Sequence, residues 1–329
     1  MCLNKFSVII AALLISFPFA KAEALFGFSA RAAQNEMIEQ VRMAYAEGDY
    51  KTVEEISHEF LLKYPSASKK RLKDVYLSLG GAYKAEGQYD KALLVYNEAV
   101  EFLPKDEDVN IALGGIYLIG GLTDNAKEIY RKVLVINKAN KDALLGLARA
   151  HYYDGFFSRA TMFFKEYEQA SQREDLSASF FYYYAMAQYF SNHSDLALEL
   201  AFKSLSAEET PDTLLLIAKI YKNSADEKNA LKYLNAALEK APSREDIYLT
   251  KALWFAFDKD TAAEGGKMAD AVLRKDGRDK LALFIKYLSL LRLGASEAQS
   301  SIYLKKITDL EGDQLIDKFA DKIYKAGKK

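Results

Sequence analysis

The chain has 329 residues, half of them hydrophobic, enough for a sizeable buried core. Its 45 Lys and Arg face 46 Asp and Glu, a formal net charge of −1, and this balance excludes a general nucleic-acid or acidic-membrane binder. The single cysteine, Cys2, excludes a disulfide framework, so stability must come from packing.

The first element is a targeting segment. Lys5 precedes an apolar stretch from Phe6 to Phe19, Pro18 breaks it near its end, and Ala20-Lys21-Ala22 supplies the small-x-small pattern of a signal peptidase site. Residues 1–22 are therefore expected to be a signal peptide cleaved after Ala22, which places the mature chain in the periplasm or outside the cell. The apolar run is about 14 residues, short of the roughly 20 that span a membrane, so no integral membrane segment is expected after cleavage. Retention as an uncleaved anchor is the alternative. Cys2 lies before the run and does not occupy the lipid-bearing place of a bacterial lipoprotein. Residues 23–33 follow as a lead-in.

From residue 34 onward the chain repeats itself. A small residue returns at Gly80, Gly114, Ala148, Ala185, Ala218 and Ala252, and a second series runs through Ala92, Ala126, Ala160, Ala197 and Ala230, in steps of about 34 residues. The fixed offset predicts helical hairpins, each helix carrying one tight contact point. The best-defined unit, 73–106, places Tyr76, Leu79, Gly80 and Tyr83 on one helix face, ends that helix at Gly87, and lines the next with Tyr89, Ala92, Leu93, Tyr96 and Ala99 before Pro104.

Further units follow in order. Residues 34–67 keep Gly48, Tyr50 and Pro65, with Val53 in place of the second-helix alanine. Residues 107–140 keep Gly114, Tyr117, Gly121, Ala126 and Tyr130, and residues 141–174 keep Ala148, Gly155, Phe157, Ala160 and Phe164. In 178–210 Asn192 stands for the turn glycine, 211–244 keeps Ala218, Tyr221, Ala230, Ala237 and Pro242, and 245–278 keeps Ala252 and Ala271 but has Glu264 at a normally small place. Residues 279–329 read as a degenerate hairpin followed by a polar capping helix, 313–326. Pro65, Pro104, Pro211 and Pro242 fall at unit junctions, and no run shows the period-2 alternation of strands.

These residues resemble the tetratricopeptide repeat (TPR) family. Gly80 stands at the family's first-helix glycine, Gly87 and Tyr89 at the turn, Ala92 and Ala99 at the second-helix small positions and Pro104 at the closing proline. The resemblance implies an all-α fold, a right-handed superhelical solenoid of about seven hairpins over 34–278, and the role of an exported bacterial scaffold.

No catalytic constellation emerges. His58, His151 and His193 lie in different units, and His151 takes a place held elsewhere by Tyr117, which points to a packed side chain. Asp74, Asp108, Asp142, Asp212 and Asp246 recur near the starts of successive first helices, where they favour the helix dipole. The glycine pairs 80–81, 114–115 and 120–121 follow no strand and form no phosphate loop. Lys69-Lys70-Arg71 reads as a solvated face and Lys127 as a surface position. No cofactor, no metal and no enzymatic activity are expected.

The resemblance implies that the first helices line a concave wall. The residues beside the packing stripe are Arg42, Tyr45, Lys84, Arg149, Tyr152, Tyr153, Tyr182, Met186, Tyr189, Phe190, Lys219 and Lys222, an aromatic middle flanked by cations. The run from Phe180 to Tyr184 cannot face one core with all five rings. Two readings stay open: the rings fill space left by irregular spacing at residues 170–178, or they form a groove for a peptide or partner helix. A protein partner in an envelope complex is the leading expectation. A glycan-binding accessory of polysaccharide export is the alternative, and a hydrolase comes third.

Overall fold

The structure is a computed structural model and describes residues 30–172 and 176–311. The expected signal peptide, the lead-in up to residue 29 and the expected capping helix lie outside the described residues. The chain divides into two compact units, residues 1–176 and 177–329. All the regular elements described in either are helices.

In the first unit α1 (residues 30–47), α2 (Tyr50–Lys63), α3 (Lys69–Ala85), α4 (Tyr89–Phe102), α5 (Glu107–Ile119), α6 (Thr123–Ile136), α7 (Lys141–Tyr153) and α8 (Phe157–Ala170) form successive antiparallel hairpins. Each hairpin turns on a glycine with positive φ: Gly48, Gly87, Gly121 and Gly155 lie between +71° and +76°. The residue after each closes a Schellman bond, as when Gln88 N donates to Tyr83 O at 2.8 Å, so the helix ends with its carbonyls satisfied. Packing then fills the hairpins: Phe60, Val75, Leu79, Val109 and Leu113 are buried in one cluster, at about 1.5–3 kcal/mol for a large side chain fully removed from water.

Alternate helices approach closely where glycine removes a side chain. A Cβ on Gly114 would stand 2.7 Å from Cε1 of Tyr130, and one on Gly146 would stand 2.6 Å from the same atom. The ring of Tyr130 therefore passes between α5 and α7, and that of Tyr96 packs on Gly80 in the same way.

Several expectations in this unit need correction. α3 begins at Lys69, so Asp74 lies beyond its first turn and accepts from Arg42 Nη2 at 3.0 Å instead of serving the helix dipole. Arg71 is half-buried and donates to Asn35 from Nε (3.1 Å) and Nη2 (3.0 Å) rather than being solvated. Lys127 is only 6 % exposed. Its ammonium reaches Asp154, which caps α7, and Asp124 at 2.7 Å, and lies 5.9 Å from the Phe156 ring centroid.

In the second unit α9 (Ala178–Phe190), α10 (Ser194–Ala207), α11 (Pro211–Asn223), α12 (Glu227–Lys240), α13 (Glu245–Phe257), α14 (Ala262–Leu273), α15 (Lys280–Arg292) and α16 (Glu297–Glu311) repeat the hairpin pattern. Pro211 sits at the first position of α11, where its missing N–H costs nothing. Two of the turns use non-glycine residues in the left-handed region, Asn192 at φ 65° and Ala225 at φ 59°.

The α13–α14 connection is different. Asp258 is extended and accepts from Asp260 N at 2.8 Å, so this turn has no left-handed residue and the following helix shifts register. Glu264 is consequently exposed, and the close approach falls on Gly265, where a Cβ would lie 2.7 Å from Ala252 O. The shift likewise buries Ala269 fully while Ala271 is half-buried. The packing that Glu264 put in question is thus intact, one residue later.

Candidate protein-binding grooves

The second unit holds a concavity of about 520 Å³ along α9, α11 and α13. Helical spacing builds it: Tyr182, Met186, Tyr189 and Phe190 share one face of α9, and Leu215, Lys219, Lys222 and Asn223 share one face of α11. α13 contributes Thr250, Leu253 and Trp254. These residues flank the buried small positions Ala185, Ala218 and Ala252, so the stripe that seats each helix also aims its neighbours at the groove.

Polar contacts fix the orientation of several side chains. Asn223 Nδ2 donates to the Tyr189 hydroxyl at 3.0 Å. Burial raises the pKa of that hydroxyl, an effect the asparagine bond partly offsets. The Lys222 ammonium donates to both Glu227 oxygens (2.6 and 2.7 Å) and lies 5.6 Å from the Trp254 ring centroid, holding the indole by a cation–π contact. Burial pushes the Lys219 pKa down; the carboxylates of Asp246 and Asp212 oppose that shift, and Arg244 adds to it. Arg244 itself ties Asp212 (3.0 Å) to Asp246 (2.7 Å), linking the first turns of α11 and α13 at the end of the groove.

The aromatic run divides between core and groove. Phe180 and Tyr184 are buried, whereas Phe181, Tyr182 and Tyr183 are half-buried, and adjacent rings meet edge to face, Tyr182 and Tyr183 at 5.4 Å. Among this run only Tyr182 lines the concavity.

The first unit holds a second concavity, about 690 Å³, along α3, α5 and α7. Lys84, Arg149 and Tyr153 line it; Arg42, Tyr45 and Tyr152 do not. Arg42 is turned to Asp74, Tyr45 covers Gly81 and meets Tyr50 edge-on at 5.9 Å, and Tyr152 packs edge-on against Phe157 at 5.7 Å. The remaining candidates gather in two places, Lys84, Arg149 and Tyr153 in the first unit and Tyr182, Met186, Tyr189, Phe190, Lys219 and Lys222 in the second.

Trp254 and Asn223 line the second unit's concavity without having been named from the sequence, and Tyr96 and Tyr130, read there only as repeat positions, line the first unit's. A signal was available for α13: Arg149, Met186 and Lys219 each directly follow a first-helix small residue, and Leu253, beside Trp254, follows Ala252 in the same way.

The three histidines each meet a neighbouring side chain. His151 is 2 % exposed and stacks on Phe163 at 5.5 Å, with burial first and then the cations Lys127, Arg131 and Arg159 holding its pKa below the ordinary value. His58 Nε2 lies 3.0 Å from the Tyr83 hydroxyl, and His193 Nδ1 lies 2.9 Å from Gln188 Oε1. Among the described residues no group of His, Cys, Asp and Glu is placed to hold a metal ion, and no helix is long and apolar enough to cross a membrane.

Residues 74–106, 107–140 and 211–244 match the sequence profile of the tetratricopeptide repeat. Solved structures agree in fold. A tetratricopeptide repeat protein from Parabacteroides merdae is 16% identical with a TM-score of 0.57, covering 84% of this chain and 99% of its own. Pseudomonas aeruginosa pilF is 20% identical with a TM-score of 0.54, covering 65% of this chain and 96% of its own. A chain of the APC/C hetero-tetramer Cut9-Hcn1 is 15% identical with a TM-score of 0.55, covering 80% and 50% respectively. No curated protein sequence matches the chain.

Proposed function

We infer, from a chain whose repeats belong to the tetratricopeptide family, that it is a scaffold whose second-unit groove receives a peptide segment or partner helix in the cell envelope. Proteins of this family generally mediate protein–protein interaction and are typically non-catalytic. The observation that carries the finer reading is the convergence of Tyr182, Tyr189, Phe190 and Trp254 with Lys219 and Lys222 on one concavity. Large rings with few torsions give contact area at low entropic cost, and tyrosine and tryptophan are enriched among the residues that dominate binding energy. Two of these rings are already held, Tyr189 by Asn223 and Trp254 by Lys222, so little ordering remains for a partner to impose.

The envelope location rests on the basic start, short apolar run and Ala20-Lys21-Ala22 end of the first 22 residues. The glycan alternative uses the same rings, which can stack on sugars. Tyr189→Ala and Trp254→Ala decide the matter when capture from an envelope extract and melting are measured on the same samples. Loss of defined protein partners worth more than about 1 kcal/mol, with melting retained, supports the scaffold. Retention of the wild-type chain on a polysaccharide resin, abolished by the same substitutions, supports the glycan reading. Capture that falls only in proportion to unfolding contradicts both.

A further inference from the structure

The start of α3 departs from the repeat. This helix has 17 residues where α5 and α7 have 13, and because Gly80 stands where α5 has Gly114, the additional turn is residues 69–72. The turn is anchored to the fold: Leu72 is buried in the core cluster, and Arg71 donates from Nε and Nη2 to Asn35 of α1. Lys69 and Lys70 stay exposed and line a cleft of about 780 Å³ whose facing wall is the α4–α5 connection, from Leu103 to Asp106.

Charge in this cleft is one-sided. Lys69, Lys70, Lys73 and Lys105 line it against Asp74 and Asp106, and both carboxylates are already engaged. Asp74 holds Arg42, while Asp106 meets Lys73 Nζ at 3.1 Å and accepts from the Asp108 and Val109 amides at the start of α5. Lys73 pairs with Asp108 as well. Lys69, Lys70 and Lys105 form no ion pair or hydrogen bond among the described residues. The fold itself does not call for cations here: the first turns of α5, α7, α11 and α13 carry acidic residues, as the helix dipole favours, whereas that of α3 carries Lys69, Lys70 and Arg71 and no acid. Like charges crowded at the positive end of a helix dipole cost stability, and an anion among them recovers it.

We propose that this cleft is a binding site for a phosphate-bearing ligand. Lys69 and Lys70 meet the phosphate oxygens from α3, and Lys105 meets them from the α4–α5 connection. Several ammonium groups, each a point charge with three donors, suit a multiply charged, oxygen-rich phosphate better than a single carboxylate. The volume lies in the range of small-molecule sites, which leaves room for the group that carries the phosphate. The cleft shares no residue with either concavity along the first helices, so the proposal is independent of the protein-binding groove. A soluble phosphate compound and a lipid headgroup present the same chemistry to these lysines.

The test is calorimetric titration of the full chain with inorganic pyrophosphate, paired with cosedimentation on phosphatidylcholine vesicles that contain phosphatidic acid. The wild type should bind in at least one arm, more weakly as salt rises. Lys69→Gln/Lys70→Gln and Lys105→Gln should each weaken that binding about fivefold or more. Lys228→Gln/Lys232→Gln on exposed positions of α12 changes the net charge as much as the first variant and should leave binding as it is. Without ligand the cleft variants should melt no lower than the wild type, since none of the three lysines has a partner within the described residues to lose. Pyrophosphate binding alone assigns a soluble phosphate compound, and vesicle binding that the cleft variants lose assigns a lipid headgroup; either supports the proposal. No binding in both arms, binding undiminished in the cleft variants, or an equal loss in the α12 variant would overturn it.

Discussion

Two adjacent glycines behave in opposite ways because of what lies beside them. A Cβ at Gly114 meets the Tyr130 ring at 2.7 Å, whereas one at Gly115 meets nothing within 4 Å. Gly114→Ala should therefore cost about 1–3 kcal/mol by overpacking, and Gly115→Ala should gain roughly 0.5–1 kcal/mol from helix propensity. Denaturant melts of the two variants check this, and shifts of the same sign would contradict the assigned helix contacts. Lys127→Ala should likewise destabilise clearly more than exposed Lys138→Ala, since only Lys127 is buried against Asp154. His151 supplies a pH dependence. Its folded pKa is lowered, so the unfolded chain binds the extra proton first, and stability is lost as pH falls through the ordinary histidine value of about 6.5. His151→Phe, which keeps a ring against Phe163, should remove that part of the loss when melting is compared at neutral and mildly acid pH.

At the scale of the helix, turn chemistry decides where each element begins and which face it buries. Ala225 is held at φ 59° and Asn192 at φ 65°, a region that costs alanine about 1 kcal/mol and asparagine less. Ala225→Gly should accordingly raise stability by roughly 0.5–1 kcal/mol and Asn192→Gly by a smaller amount, while Gly121→Ala should lower it. Equal responses at Ala225 and Asn192 in urea titrations would contradict the left-handed turns. The small-residue series at Gly80, Gly114, Ala148, Ala185, Ala218 and Ala252 made the helices legible in the sequence, because close backbone approach accepts only small side chains. Glu264 misled because the α13–α14 turn lacks a left-handed residue and moves the close contact to Gly265. Lys127 misled because its partner Asp154 is distant in sequence, and a charge pair of that kind leaves no local pattern.

At the scale of the whole molecule, each unit carries its own groove, and the two are chemically unlike. The second unit offers rings and a lysine-held indole; the first offers Lys84 and Arg149 with the Tyr96 and Tyr130 rings. Most of the second groove's lining, Tyr182, Met186, Tyr189, Phe190, Lys219 and Lys222, is among the residues that the family resemblance put beside the packing stripe of the first helices. That resemblance did not reveal the floor of the first, because Tyr96 and Tyr130 lie on the opposite helices of their hairpins and reach the groove only where glycines admit them. The proposed export belongs to the chain as a whole and predicts that N-terminal sequencing of the mature protein begins at Glu23. An extracytoplasmic species still carrying Met1 would contradict cleavage.

The central claim is that the second-unit groove receives a protein partner, and crosslinking within cells tests it most directly. A photoreactive amino acid replacing Met186, which lines the groove, is compared with the same residue replacing exposed Lys232 on α12. The account predicts adducts to a discrete protein from position 186 and none from position 232, with the adducts lost when Trp254→Ala is added. Adducts from both positions alike, or none from position 186, would contradict it.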